Sequence, residues 1–145
     1  MEKNWNLTRK KNALHIRAAM IRAIRKFFMD RDYLEVETPS RIPSLAPECH
    51  IDAIPSDGWY LHTSPELCMK RLLAAGYPRI FQITRCFRRR ERGLLHIPEF
   101  TLLEWYESDI DYRRMMEECE ELIVHVARSL GHEGEIGRAS CRERV

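Results

Sequence analysis

The sequence lacks a long apolar run. No stretch approaches the roughly 20 residues that cross a bilayer, and the first residues, MEKNWNLTRKK, lack the apolar core of a signal peptide. It also lacks a paired-cysteine motif, because none of its five cysteines forms a C-x-x-C pair. Such cysteines predict reduced thiols in the cytosol, so we expect a cytoplasmic protein without a membrane partner. The net charge of only +2 gives no global attraction to nucleic acid.

The most informative stretch is residues 79–106, RIFQITRCFRRRERGLLHIPEFTLLEWY. Apolar and polar residues alternate at both of its ends with the period of a half-buried strand, which predicts two strands joined by a basic loop. One predicted face carries a cation, an amide, an aromatic ring, a carboxylate and a phenol: Arg88, Gln82, Phe100, Glu104 and Tyr106. Unpaired buried charge costs on the order of several kcal/mol, so this face is typical of a ligand site. Such groups suit a phosphate, a base and an ammonium group.

Short elements are predicted before this hairpin. Residues 9–30 form a helix with two apolar stripes, typical of a helix that is buried on two sides, as at an interface. Residues 34–39 predict a short strand that proline ends. Residues 40–58 are rich in loop signals, and short strands are predicted at 50–54 and 60–63.

A second helix is predicted to run to about residue 75. Ser64 is a good N-cap, Pro65 suits the first helical position, and Gly76 follows the last turn. Position alone makes Glu66 a first-turn acid that the helix dipole stabilises.

A last helix is capped by Asp109 or Asp111 and ends near residue 130. We expect His125 to lie on its surface. We expect its buried stripe to contain seven residues: Tyr112, Met115, Met116, Cys119, Leu122, Ile123 and Val126.

The order of residues in the hairpin resembles motif 2 of class II aminoacyl-tRNA synthetases of the lysyl type. The resemblance rests on Phe87-Arg88, a short loop, His96 and the run PEFTLLEWY at 98–106. The preceding unit FFMDRDYLEVETPS resembles motif 1, which builds the dimer interface of that class. The ending Glu-Trp-Tyr resembles the short lysyl paralogues that act as elongation factor P–lysine ligases. The implied fold is α+β, the N-terminal part of an antiparallel sheet flanked by helices.

The resemblance also implies site residues. Arg88 is the catalytic residue that holds the α-phosphate of ATP, and the ring of Phe100 stacks on adenine. The implied ATP-binding residues are Arg88, Arg89, Arg90, Glu91, His96, Ile97 and Phe100. The implied amino-acid-binding residues are Ser64, Pro65, Glu66, Glu104 and Tyr106, with Glu66 on the α-amino group. The family usually has an acid two places after the arginine and an asparagine where Ile97 stands. In this chain, either Glu91 takes the role of that acid, or Arg90, which stands in the acid's place, presents only its backbone.

The resemblance covers residues 9–130, so we expect residues 1–131 to be the N-terminal part of a class II catalytic domain. Residues 132–145 lack apolar periodicity and are expected to be a non-native tail. The family's glycine-rich third motif and its acids for Mg²⁺ are absent from the sequence. We therefore expect a fragment that is inactive alone, with no metal ligand of its own.

The implied reaction activates lysine or (R)-β-lysine with ATP and Mg²⁺ and passes it to a lysine of elongation factor P. Only about eight residues precede the first predicted helix, which favours this acceptor over tRNA, the alternative. A homodimer through residues 9–39 is expected. Two other hypotheses are a single-stranded RNA-binding module and an inactive regulatory paralogue. Clustering of the arginines in one loop argues against RNA binding, because a binding sheet spreads cations along its strands.

Overall fold

A computed structural model describes residues 8–94 and 96–132. In chain order, the elements of this part are α1 (Lys11–Met29), β1 (Leu34–Glu35), β2 (Arg41–Ile42), β3 (Ile54–Ser56), β4 (Trp59–Leu61), α2 (Glu66–Ala74), β5 (Arg79–Phe87), β6 (Glu99–Glu107) and α3 (Tyr112–Ser129). One compact unit contains α1 as far as Phe27 together with α3, and a second contains residues 28–110. None of the described helices is long and apolar enough to cross a membrane.

The second unit is built around the antiparallel pair β5–β6, and the predicted hairpin is confirmed. In the observed register Gln82 lies opposite Glu104, and Cys86 lies opposite Phe100. Residues opposite each other in a ladder point to the same side, so the polar groups predicted to share a face do so. β1 extends the sheet on the other edge of β5, parallel to it, with Leu34 opposite Ile80.

The opposite face of the hairpin carries an aromatic cluster. Phe28 and Phe81 are both fully buried and stack with ring centroids 4.8 Å apart. Tyr33 meets the Phe28 ring edge-on at 5.1 Å, and Trp105 contacts it at 5.4 Å. Aromatic side chains bury more apolar area than other residues, so this cluster contributes strongly to the hydrophobic stabilisation of the unit.

A carboxylate accepts hydrogen bonds from two other segments at one end of the sheet. Glu107, at the end of β6, accepts a hydrogen bond of 2.6 Å from Arg79 Nε and one of 3.2 Å from Tyr33 Oη. The hydrogen bond from Arg79 and the negative charge of Glu107 raise the pKa of the Arg79 guanidinium. The guanidinium therefore stays charged, and Glu107 links β5, β6 and the segment before β1.

A second antiparallel sheet has the strand order β2–β4–β3. His62 links it to the hairpin, because its carbonyl accepts from Phe87 N–H at 3.0 Å and its Nε2 lies 2.6 Å from Arg85 O. The prediction of loop for residues 40–58 was therefore incomplete, since β2 and β3 lie there. Strands of two or three residues are too short to show a period of two.

Several predicted boundaries differ from the structure. The strand predicted at 34–39 ends at Glu35, the strand predicted at 50–54 forms at Ile54–Ser56, and the strand predicted at 60–63 forms at Trp59–Leu61. Pairing with a neighbouring strand decides these ends, and the local sequence does not report it.

Helix ends were predicted better. Pro65, and not Ser64, occupies the N-cap of α2, although Ser64 Oγ still accepts a hydrogen bond of 3.0 Å from Glu66 N–H. Gly76 follows the helix with a φ of 93°, as its C-terminal signal indicates. Asp111 caps α3 by accepting from Arg114 N–H at 2.9 Å, which decides between the two candidate aspartates.

The predicted apolar stripes of α1 are buried only near its C-terminal end. Ala23, Phe27 and Phe28 are buried there, whereas Leu14 and Met20 are exposed. Burial of α1 on two sides is therefore not observed along its whole length. Helical periodicity identifies a face, but the elements that cover the face lie elsewhere in the structure.

The prediction for α3 was partly wrong. Tyr112, Met116 and Ile123 are exposed, and the buried positions are Glu118 and Leu122. His125 was expected on the surface, but its ring packs against Phe27 with centroids 5.6 Å apart, and its Nε2 is buried. The predicted tail begins at the last described residue, and residues 133–145 of it lie outside the described part.

Phe28→Ala should lower the free energy of unfolding by about 3–5 kcal/mol, because it removes the ring that joins the aromatic cluster. Met29→Ala is the matched control: Met29 is 61% exposed, and its loss should cost no more than about 0.5 kcal/mol. Urea denaturation followed by circular dichroism measures both. Equal shifts for the two variants would contradict the proposed core.

Candidate active site

A pocket of about 180 Å³ opens beside the β5–β6 loop and is lined by Arg88, Glu91, His96, Ile97 and Phe100. Arg88 directly follows β5, and Phe100 is the second residue of β6, so the strand pairing determines the position of both. All five were predicted ATP-binding residues. A larger depression of about 490 Å³ lies near Arg79 and Glu107, whose charges are already paired with each other.

The cation of this pocket lies over its aromatic ring. The guanidinium carbon of Arg88 is 5.0 Å from the centroid of the Phe100 ring, a cation–π contact. Arg88 Nε is buried and has no hydrogen-bond partner among the described residues. A buried donor without a partner is rare in proteins, and an anionic ligand could supply the missing acceptor.

The loop separates the remaining predicted ATP-binding residues. Arg89 N–H donates to Asp52 O at 2.7 Å, and Arg90 Nη1 lies 3.6 Å from Asp52 Oδ2. Neither arginine is among the described residues that line the pocket. Glu91 does line it, with Oε2 at 4.0 Å from His96 Nε2. Glu91, one of the two candidates for the acid's place, therefore lines the same pocket as Arg88.

Glu104 and Tyr106 form the polar pair on the same face of the sheet. Tyr106 Oη donates to Glu104 Oε1 at 2.6 Å. Burial raises the pKa of the Tyr106 phenol well above its ordinary value, and the hydrogen bond to Glu104 and the charges of Glu104 and Glu66 raise it further. The phenol is therefore a hydrogen-bond donor at neutral pH. Tyr106, Glu104 and Glu66, which can all attract a cation through their oxygens, lie within electrostatic reach of one another.

Glu66 has a partner that was not predicted from the sequence. Lys70 Nζ, one helical turn later, donates to Glu66 Oε1. This bond and the charge of Glu66 raise the pKa of Lys70, and Glu104 adds to the effect. The i, i+4 spacing of Glu and Lys was the available signal. Ser64 and Pro65 contact the first turn of α2 and thereby position Glu66.

Two further buried residues, Gln82 and Cys86, lie on the same face of the sheet. Gln82 is 1% exposed, its Oε1 accepts from Thr38 Oγ1 at 3.0 Å, and its Nε2 has no partner among the described residues. Burial, together with the charge of Glu104, raises the pKa of the Cys86 thiol to about 11, and Arg88 acts in the opposite direction. Cys86 is thus close to both the cation of the pocket and the carboxylate of the polar pair.

Metal ligands are not gathered in this part of the chain. Within residues 8–94 and 96–132, no group of three or more His, Cys, Asp or Glu side chains is arranged to hold a metal ion. The arrangement can instead hold an anion at Arg88, a planar ring against Phe100, and an ammonium group near Glu104.

Comparison with known proteins agrees with this geometry. The family described as tRNA synthetases class II (D, K and N) matches residues 4–142, and the chain belongs to that family. It is similar to curated proteins named elongation factor P–(R)-β-lysine ligase. The one from Hamiltonella defensa is 42% identical over 133 residues, 85% of this chain and 41% of the relative. The one from Yersinia enterocolitica is 44% identical over 120 residues, 76% of this chain and 37% of the relative. The chain spans about two fifths of the length of these relatives.

Cys86 should resist alkylation in the folded protein. Because its pKa of about 11 is far above the pH, its thiolate fraction at pH 8.5 should be roughly a hundredfold below that of an ordinary thiol, and burial slows the reaction further. Cys49, which is exposed, is the control and should react with iodoacetamide. Peptide mass spectrometry measures both sites. Equal rates of alkylation at the two cysteines would contradict the burial of Cys86 and its raised pKa.

Proposed function

We propose that the whole protein to which this sequence belongs activates lysine or (R)-β-lysine with ATP and transfers it to a lysine of elongation factor P. The observation that carries the proposal is the unpartnered Nε of Arg88 over Phe100, on the same sheet face as Glu104 and Tyr106. The names of the relatives support the amino acid and the acceptor.

Arg88 and Phe100 act on the nucleotide. The carboxylate of the amino acid attacks the α-phosphorus of ATP, a bond to phosphorus forms, and pyrophosphate leaves. Arg88 is fixed before the reaction and stabilises the negative charge that develops on the phosphoryl oxygens. The ring of Phe100 offers a face on which the base stacks. Mg²⁺, when bound, would neutralise charge on the phosphates of ATP, and we assign no residue of the described chain to it.

Glu66, Glu104 and Tyr106 hold the ammonium groups of the substrate. Glu66 takes the α- or β-amino group, and the hydrogen-bonded pair of Glu104 and Tyr106 takes the distal one. A partly buried carboxylate gains most from a cation, so these residues select a diamino acid over an uncharged analogue. Lys70 neutralises Glu66 in the absence of substrate, and the substrate amine exchanges with it.

The second step makes the amide bond. The amine of the acceptor lysine attacks the carbonyl carbon of the aminoacyl-adenylate, and AMP leaves. Transfer to tRNA is the second candidate, because the matching family includes the lysine enzymes and a ribose hydroxyl attacks the same carbonyl. The names of the relatives favour the protein acceptor.

We also propose a cytoplasmic homodimer that forms through residues 9–39. Exposed Leu14, Ile16 and Met20 on α1 support this, since they offer apolar area for a second copy. Sedimentation of the whole protein, compared with a Leu14→Glu variant, tests the dimer.

Arg88→Ala in the whole protein should slow lysine-dependent ATP–pyrophosphate exchange by about 10²–10³-fold, as expected for the loss of one preorganised donor to the transition state. Arg85→Ala is the matched control. Arg85 lies in β5, the strand that Arg88 follows; its side chain is 58% exposed and pairs loosely with Glu99 at 3.8 Å. A similar loss in both variants, or a change only in the KM for lysine, would refute the role of Arg88.

Radiolabel from lysine or (R)-β-lysine should appear on elongation factor P when the whole protein is supplied with ATP. The label should be lost when the acceptor lysine of the factor is replaced by arginine, because that side chain is not a nucleophile at neutral pH. A parallel reaction contains tRNA in place of the factor. Label on tRNA alone would favour the second candidate, and absence of both label and pyrophosphate exchange would overturn the proposed activity.

A further inference from the structure

The loop after β5 contains one residue in an uncommon backbone conformation. Arg90 has a φ of 65°, in the left-handed region that residues other than glycine, asparagine and aspartate seldom adopt. The turn comes directly before Glu91, the acid that lines the pocket with Arg88. A left-handed residue reverses the local direction of the chain, so its conformation determines where the next side chain points.

Asp52 holds this turn from the segment before β3. Its carbonyl accepts from Arg89 N–H at 2.7 Å as an isolated bridge, and its carboxylate lies 3.6 Å from Arg90 Nη1. The side chains of Arg90 and Asp52 are 75% and 59% exposed, so the ion pair is a minor contribution. The main-chain bond and the left-handed turn therefore fix the loop.

We propose that Arg90 is a positioning residue: its left-handed backbone, docked on Asp52, directs its own cation away from the pocket and Glu91 into it. In that position the Glu91 carboxylate can accept a hydrogen bond from a hydroxyl or amino group of the bound nucleotide. The inference rests on the proposed function, because it takes the ligand of the pocket to be ATP. Arg90 thus affects ATP affinity through Glu91 and has no direct contact with the nucleotide.

Two substitutions separate the backbone from the side chain. Arg90→Gly and Arg90→Val both remove the guanidinium, but glycine adopts a positive φ freely, whereas a β-branched residue is strained there. In the whole protein, Arg90→Gly should bind ATP within about threefold of the wild type, and Arg90→Val should bind at least about tenfold more weakly. Affinity for lysine should not change in either variant. Titration calorimetry measures the affinity of each variant for ATP and for lysine.

Asp57→Val is the control for strain alone. Asp57 has a φ of 49° in the turn between β3 and β4 and does not line the pocket within the described part of the chain. This variant should lower the melting temperature and leave ATP affinity unchanged. Where Arg90→Val does not fold, Arg90→Thr replaces it, since threonine is also β-branched.

A double-mutant cycle tests whether Arg90 acts through Glu91. Glu91→Ala should weaken ATP binding in the wild type. In the Arg90→Val background, the same substitution should lower ATP affinity by at most about half of that fold-change, because the carboxylate has already been displaced there. Equal ATP affinity of Arg90→Val and Arg90→Gly would overturn the inference, as would a full effect of Glu91→Ala in both backgrounds. Failure of the wild-type protein to bind ATP would overturn the proposed function, and this inference with it.

Discussion

The antiparallel pairing of β5 with β6 is the interaction on which the rest of the second unit depends. It sets Gln82 opposite Glu104 and Cys86 opposite Phe100, so the groups that can bind a ligand collect on one face. The same register turns Phe81 and Trp105 to the other face, where Phe28 packs. A slip of one residue would exchange the two faces and bury charge against the aromatic cluster.

The candidate site contains polar atoms that the fold leaves without partners. Arg88 Nε and Gln82 Nε2 are buried donors that no described residue satisfies. Such groups destabilise a fold unless a ligand completes them, so stability has to come from elsewhere in the unit. The stacked rings at Phe28 and the carboxylate of Glu107, which holds Arg79 and Tyr33, supply it.

The charges near the sheet are arranged in a way that suits a diamino acid. Glu66 and Glu104 attract cations, and Lys70 already presents an ammonium group to Glu66. The cation for an anionic ligand, Arg88, lies at the other end of the hairpin, with Cys86 between it and Glu104. This separation of charge is the basis for proposing an amino acid whose carboxylate faces a phosphate and whose amines face acids. Membership of the class II family agrees with that arrangement.

The sequence by itself determined the hairpin, its two faces and the end of α2 at Gly76, because these follow from local geometry: a period of two along a strand, and a glycine after the last helical turn. The order of motif residues also predicted the family. Tertiary structure alone decided which side of α3 is buried and that Glu91, not Arg90, enters the pocket. Burial depends on what packs against a face, and the direction of the loop depends on Asp52, which lies far from Arg90 along the chain.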